Sequence, residues 1–152
     1  MSDGDVRITA EDNQVHLAAP RTAEVLSDIR HVIRTFLDGH AASPDLIEDL
    51  ELAASELATN VIRHTVSESI SLSIARVDRG WRLDVADAER VPPLEDIALP
   101  PTTQPTGRGL VVVTAVMDEV TVMDVDGICV VRCLRFDPAE RAAAYGTAAG
   151  GT

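Results

Sequence analysis

The sequence predicts an α/β protein: a two-layer sandwich in which a mixed, mostly antiparallel sheet is covered on one face by helices. Three observations predict it. Two long segments, Thr22 to Leu37 and Ser43 to about His64, carry apolar residues at helical spacing and follow one another directly. Two strand-like runs come next, Ser69 to Val77 and Trp81 to Ala86, joined by the turn Asp78-Arg79-Gly80. A short helical segment then leads to a further pair of strand candidates, Val120 to Val125 and Ile128 to Phe136, on either side of Asp126-Gly127. Elements in this order bury one face of a sheet beneath a layer of helices.

Taken in order, residues 1–10 read as a flexible N-terminus, and Gln14 to Ala18 is a short strand that ends at Pro20. In the first helix Val25, Ile29, Val32 or Ile33, and Phe36 share a face, with Gly39 as a stop signal. Ser43-Pro44-Asp45 is a strong helix start, with Ser43 as cap and Pro44 in the first helical position. From there Leu46, Leu50, Ala53, Leu57 and Val61 trace one apolar stripe. The strands alternate through Ile70, Leu72 and Ile74, then through Trp81, Leu83 and Val85. Between Ala88 and Thr106 lies a loop holding Pro92, Pro93, Pro100, Pro101 and Pro105; loops of that length are usually functional. A helix from Leu110 to about Met117 follows, and the chain after Pro138 reads as a disordered tail over 138–152, which leaves one domain over 11–137.

Composition narrows the function. The 152 residues are 45% hydrophobic and 25% charged, as in a single soluble domain. A formal net charge of −12 argues against direct nucleic-acid binding and against an anionic membrane, both of which reward a basic face. It suits a basic protein partner or plain solubility. Aromatic residues, at 3%, provide few stacking platforms for single strands. No apolar run approaches a membrane span and the start is acidic, so the expected location is cytoplasmic. Cys129 and Cys133 form no CxxC pair, have no histidines at zinc-ligand spacing, and read as buried, inert thiols.

Two stretches carry chemistry. On the second helix Glu56, Asn60 and His64 recur at i, i+4 and i+8, rising along one edge by about 6 Å per step. A carboxylate, an amide and an imidazole in a row are unusual on a helix rich in Leu, Ala and Val. Thr106-Gly107-Arg108-Gly109-Leu110 opens the third helix, where glycines let backbone N–H groups approach an anion at a helix N-terminus. Together they suit a nucleotide. His64 at the helix end is equally a histidine satisfied near the core or a group close to phosphate.

These residues resemble a known family. Ser55-Glu56-Leu57-Ala58-Thr59-Asn60-Val61-Ile62-Arg63-His64 resembles the N-box of the GHKL superfamily of small ATPase domains, and within it of the anti-sigma factor serine/threonine kinases. Leu83-Asp84-Val85-Ala86-Asp87 resembles the strand leading to that family's adenine-reading aspartate, and Thr106-Gly107-Arg108-Gly109-Leu110 its second glycine box. The resemblance covers about residues 10 to 136 and implies a Bergerat-type ATPase fold with a lid loop over 88–107. It implies that Asn60 holds Mg²⁺ beside bound ATP, that Glu56 is the general base toward a serine hydroxyl or orients a water, and that Asp87 accepts a hydrogen bond from the adenine amino group. Gly107 and Gly109 would close on the phosphates, with Arg108 as a phosphate contact, Thr106 near the lid hinge and Leu110 opening the helix.

The function so implied is an ATP-binding anti-sigma factor. It would sequester a sigma factor, phosphorylate a serine or threonine on an anti-anti-sigma partner, and form a homodimer. Two departures support an alternative, a catalytically weak or nucleotide-independent binding module of the same fold. The family's first glycine box runs Asp-x-Gly-x-Gly, whereas Asp87-Ala88-Glu89-Arg90-Val91 has no glycine. Its polar Gly-Thr/Lys-Thr entry to the last strand is replaced by Gly127-Ile128-Cys129.

Overall fold

The computed structural model describes residues 6–64, 67–88 and 108–145. Six strands form one sheet: β1 (Arg7–Glu11), β2 (Gln14–Pro20), β3 (Ser69–Val77), β4 (Gly80–Ala86), β5 (Glu119–Val125) and β6 (Ile128–Phe136). Their order is β1-β2-β3-β4-β6-β5, and every pairing described is antiparallel. Four helices, α1 (Val25–Gly39), α2 (Pro44–His64), α3 (Arg108–Val116) and α4 (Pro138–Tyr145), complete the two-layer α/β sandwich.

Side-chain alternation decides which face is covered. The register aligns Val15, Ile74, Leu83, Cys133 and Val120 in one row, and Leu17, Leu72, Val85 and Val131 in the next. Both rows join Ile29, Ile33 and Leu37 of α1, Leu50, Leu57 and Ala58 of α2 and Val113 of α3 in the main core. Helix α2 is central, packing on α1 and α3 and on β3, β4 and β6. On the opposite face Ala86, Met123, Val125 and Val130 make a second, smaller apolar cluster.

The helix ends show how the sequence sets the boundaries. Leu46 N–H donates to Ser43 Oγ at 3.3 Å, so Ser43 caps α2 as expected, with Pro44 in the first position. Helix α1 begins at Val25, the first residue of its apolar pattern and three residues after Thr22, and extends through Gly39. The chain turns at Ala41, at φ 57°, with Ala41 N–H on Asp38 O and Ala42 N–H on Leu37 O. This is a Schellman end with alanine in the position that glycine usually takes.

Two expectations are corrected. Residues 7–10 are not a flexible lead: Arg7–Glu11 is an edge strand paired with β2. The chain after Pro138 does not begin as a disordered tail either, because Pro138–Tyr145 is helical. Arg141 N–H bonds Asp137 O, and the Arg141 guanidinium reaches Asp118 Oδ1 at 2.9 Å. The lid assigned to 88–107 lies, beyond Ala88, outside the described residues.

A tight approach closes β4 on β6. A Cβ on Gly80 would collide with the backbone of Arg135 and Phe136, atoms that the sheet holds in place. Gly80→Ala should therefore lower unfolding stability by about 2–4 kcal/mol, as backbone clashes in packed regions do. Urea denaturation followed by circular dichroism measures it; an unchanged midpoint would show that β4 and β6 separate without cost.

Candidate functional site

Asp87, the end of α2 and the start of α3 lie toward one end of the sheet. Strand β4 ends at Ala86, so Asp87 sits at its outlet, opposite Cys129 near the start of β6. β3 begins there too, shortly after α2 ends, and Arg21 ties the three together. Its guanidinium donates to Ile62 O at 2.6 Å and to Ser67 O, while Arg21 N–H bonds Glu68 O. Helix α3 runs the other way along α2: its last turn leads into β5, which starts beside Leu134 near the end of β6. Its N-terminus is thus directed toward the Asp87 end.

On α2 the ridge is built as the helical period requires. Glu56 and Asn60 are both half-buried, flanking the buried Leu57 and Ala58. Among the described residues, nothing engages the Glu56 carboxylate or the Asn60 amide. Their neighbours are committed: Thr59 Oγ1 donates to Ser55 O at 2.7 Å, and Arg30 reaches Ser55 Oγ at 3.4 Å. Half-buried oxygens with no partner among the described residues have room for a further contact. No group of three or more His, Cys, Asp or Glu able to hold a metal occurs among the described residues. The oxygens present fit Mg²⁺, which takes one or two protein ligands and the remainder from phosphate and water.

Asp87 is half-exposed, and one of its oxygens is already used. Cys129 N–H donates to Asp87 Oδ1 at 3.1 Å, and Asp87 N–H reaches Cys129 O at 3.4 Å, extending the ladder past β4. Among the described residues no hydrogen bond to Oδ2 is seen. His64 is the last residue of α2, and Arg108, Gly109 and Leu110 form the first turn of α3; of their side chains only this placement is described. Thr106 and Gly107 lie outside the described residues. The sequence reading missed Arg21 and Cys129. Arg21 directly follows a proline strand end and carries no motif signal, while Cys129 was expected to be buried and is instead exposed.

The two thiols therefore differ. Burial pushes the Cys133 thiol up to about 12, with Asp84 adding to the shift. At Cys129 partial burial of the sulfur raises the thiol first, and the carboxylates of Asp87 and Asp124 add to it. Raised values suppress thiolate. With a disulfide reagent at pH 8, Cys129 should react more slowly than free cysteine, and Cys133 only after unfolding. Two equally fast thiols in the native protein would contradict this geometry.

Comparison with known proteins agrees with the fold. The family described as "Histidine kinase-like ATPase domain" matches residues 19–133. The chain is 26% identical over 130 residues to the serine-protein kinase RsbW of Bacillus thuringiensis, an alignment covering 77% of this chain and 81% of that one. RsbW of Bacillus cereus aligns to the same extent. RsbW of Staphylococcus aureus is 24% identical over 136 residues, covering 80% of this chain and 86% of the relative. The family match runs from the end of β2 into β6 and takes in the ridge on α2, Asp87 and the start of α3, and this chain belongs to the histidine kinase-like ATPase domain family.

Proposed function

We propose that this protein is an ATP-binding anti-sigma factor of the serine kinase type. The observation that carries the reading is the unengaged Glu56–Asn60 ridge at the same sheet end as Asp87 and the N-terminus of α3. Support also comes from the family membership and from relatives named serine-protein kinases. Asp87 Oδ2 would accept from the adenine amino group. Guanine presents a carbonyl there, so acceptor would face acceptor and the base is rejected. Asn60 would hold Mg²⁺, which would offset phosphate charge when bound. Glu56 would take the proton of a serine or threonine hydroxyl as its oxygen bonds the γ-phosphorus and ADP departs.

The substrate hydroxyl would belong to an anti-anti-sigma protein, and the sequestered partner would be a sigma factor. The acidic charge of −12 is compatible with holding a basic segment. A homodimer in the cytoplasm belongs to the same proposal. No described helix is long and apolar enough to cross a membrane. A second reading, a binding module with weak or no catalysis, is favoured by one contact: the Cys129 backbone already occupies Asp87 Oδ1 in a box without glycine.

Nucleotide binding separates them. Calorimetry should give ATP clearly tighter binding than GTP, and Asp87→Asn should cost about 1–3 kcal/mol, the loss of one charged hydrogen-bond partner. That is roughly one to two decades in affinity. Equal ATP and GTP affinities, or no binding, select the binding-only module.

Metal and base are distinguished by two further variants. Asn60→Ala should make ATP affinity insensitive to added Mg²⁺. Glu56→Gln should keep ATP binding, yet reduce transfer of labelled γ-phosphate to the partner by about 10²-fold or more. Loss of binding and transfer together in Glu56→Gln would assign the carboxylate a structural role.

A further inference from the structure

The opposite end of the sheet holds a cavity of about 460 Å³ that the nucleotide reading does not use. β4 runs from Gly80 to Ala86, so Trp81 stands at the far end from Asp87. Ser43 and Leu46, in the cap and first turn of α2, stand there too, away from Glu56 and Asn60. The volume falls within the range of small-molecule sites.

The walls are specific in chemistry. Trp81, 3% exposed, is held by edge contacts from Phe36 and His40, with ring centroids 5.8 and 5.6 Å away. Together with Leu46 and Pro138 it makes the apolar side. Arg76 lies over the Trp81 ring, its guanidinium carbon 5.1 Å from the ring centroid. Arg76 donates from both terminal nitrogens to the Asp137 carboxylate, at 2.8 and 2.7 Å. A guanidinium has five N–H donors in a fixed plane, so donors remain after that pair is made.

Charge selects the ligand. His40 Nδ1 lies 2.8 Å from Phe36 O and Nε2 lies 2.7 Å from Asp12 O. These two backbone contacts hold the His40 ring in place as part of the cavity wall. The cavity wall thus sets a guanidinium and the positive end of a 21-residue helix against one carboxylate, Asp137. Asp45, in the first turn of α2, is exposed and does not line the cavity. A planar monoanion matches the free edge of Arg76, whereas a dianion meets Asp137 and a chain of net charge −12.

From this geometry we infer a second ligand site, distinct from the nucleotide site, that takes a small carboxylic acid with an apolar body. The carboxylate meets Arg76 and the apolar body lies against Trp81, Leu46 and Pro138.

Trp81 is the chain's one tryptophan, so its fluorescence reports on this cavity. The probes are phenylacetate, its neutral isostere phenylacetamide, and the cation phenethylamine. Phenylacetate should give a saturable change, with an apparent Kd at least tenfold lower than for either of the others. In ¹⁵N–¹H spectra the shifted amides should cluster at residues 40–46, 76, 81 and 137. Arg76→Gln should remove the preference for the acid. Because that variant also breaks the Asp137 pair, Ala42→Leu is the second: a larger side chain on the cavity wall should abolish the response while leaving the thermal midpoint within a few degrees. Linear, unsaturable quenching, equal responses to acid and amide, shifts spread away from those residues, or an undiminished response in a folded Ala42→Leu variant would each overturn the inference.

Discussion

Everything else in this protein depends on how α2 is seated on the sheet. Its apolar stripe gives the attraction, but an apolar stripe alone permits sliding and rotation. Two arginines remove that freedom. Near the first turns, Arg135 of β6 donates to Asp49 at 3.0 Å; its own side chain is 6% exposed. Asp118, at 1% exposure, accepts from Phe136 N–H at 2.7 Å and from Arg141, so β6, α4 and the α3–β5 junction share one buried network. At the other end Arg21 holds Ile62 O. Breaking a buried pair of this kind by removing one partner typically costs about 3–5 kcal/mol, much of it the charge left unpaired. The rotation of α2 is therefore fixed at both ends, and with it the direction of Glu56 and Asn60.

The separation of roles follows. Charges that stabilise the fold are paired with one another, as in Arg132 with Asp84 and Arg135 with Asp49. Glu56 and Asn60 are half-buried with no partner among the described residues. Leaving a polar group partly enclosed and unpaired costs stability. A rigid, clamped helix can carry that cost and hold the groups in register for an incoming ligand.

How much of this was legible in the sequence depends on the range of the forces involved. The period of α2 and the Ser43-Pro44 start are local facts, and the cap bond confirms the start. The edge strand β1 escaped because an exposed edge needs no apolar alternation: all five residues are exposed, and charged ends such as Arg7 and Glu11 suit an edge. α4 escaped for a different reason. Asp137-Pro138 is the same kind of helix start as Ser43-Pro44, but the Ala- and Gly-rich chain after it drew the reading toward disorder. Arg21 with Ile62, 41 residues apart, and Asp87 with Cys129, 42 apart, are pairings that only the folded sheet brings together.

The Asp87–Cys129 contact shows what replacing a motif does physically. A hydroxyl-bearing side chain at position 129 would have a strong O–H donor to offer the carboxylate or a base. Cysteine has only a weak S–H donor, and the thiol is pushed toward its protonated form by burial and by Asp87 and Asp124. What fixes Asp87 is thus the backbone: Cys129 N–H on Oδ1, a bond that the sheet ladder makes whatever side chain stands there. The orientation of the carboxylate survives the substitution, while a second polar contact does not. On the proposed reading, a site built in this way would keep its selectivity for the donor pattern of a base and give up part of its affinity. Selectivity rests on the fixed direction of one acceptor; affinity rests on the number of satisfied partners.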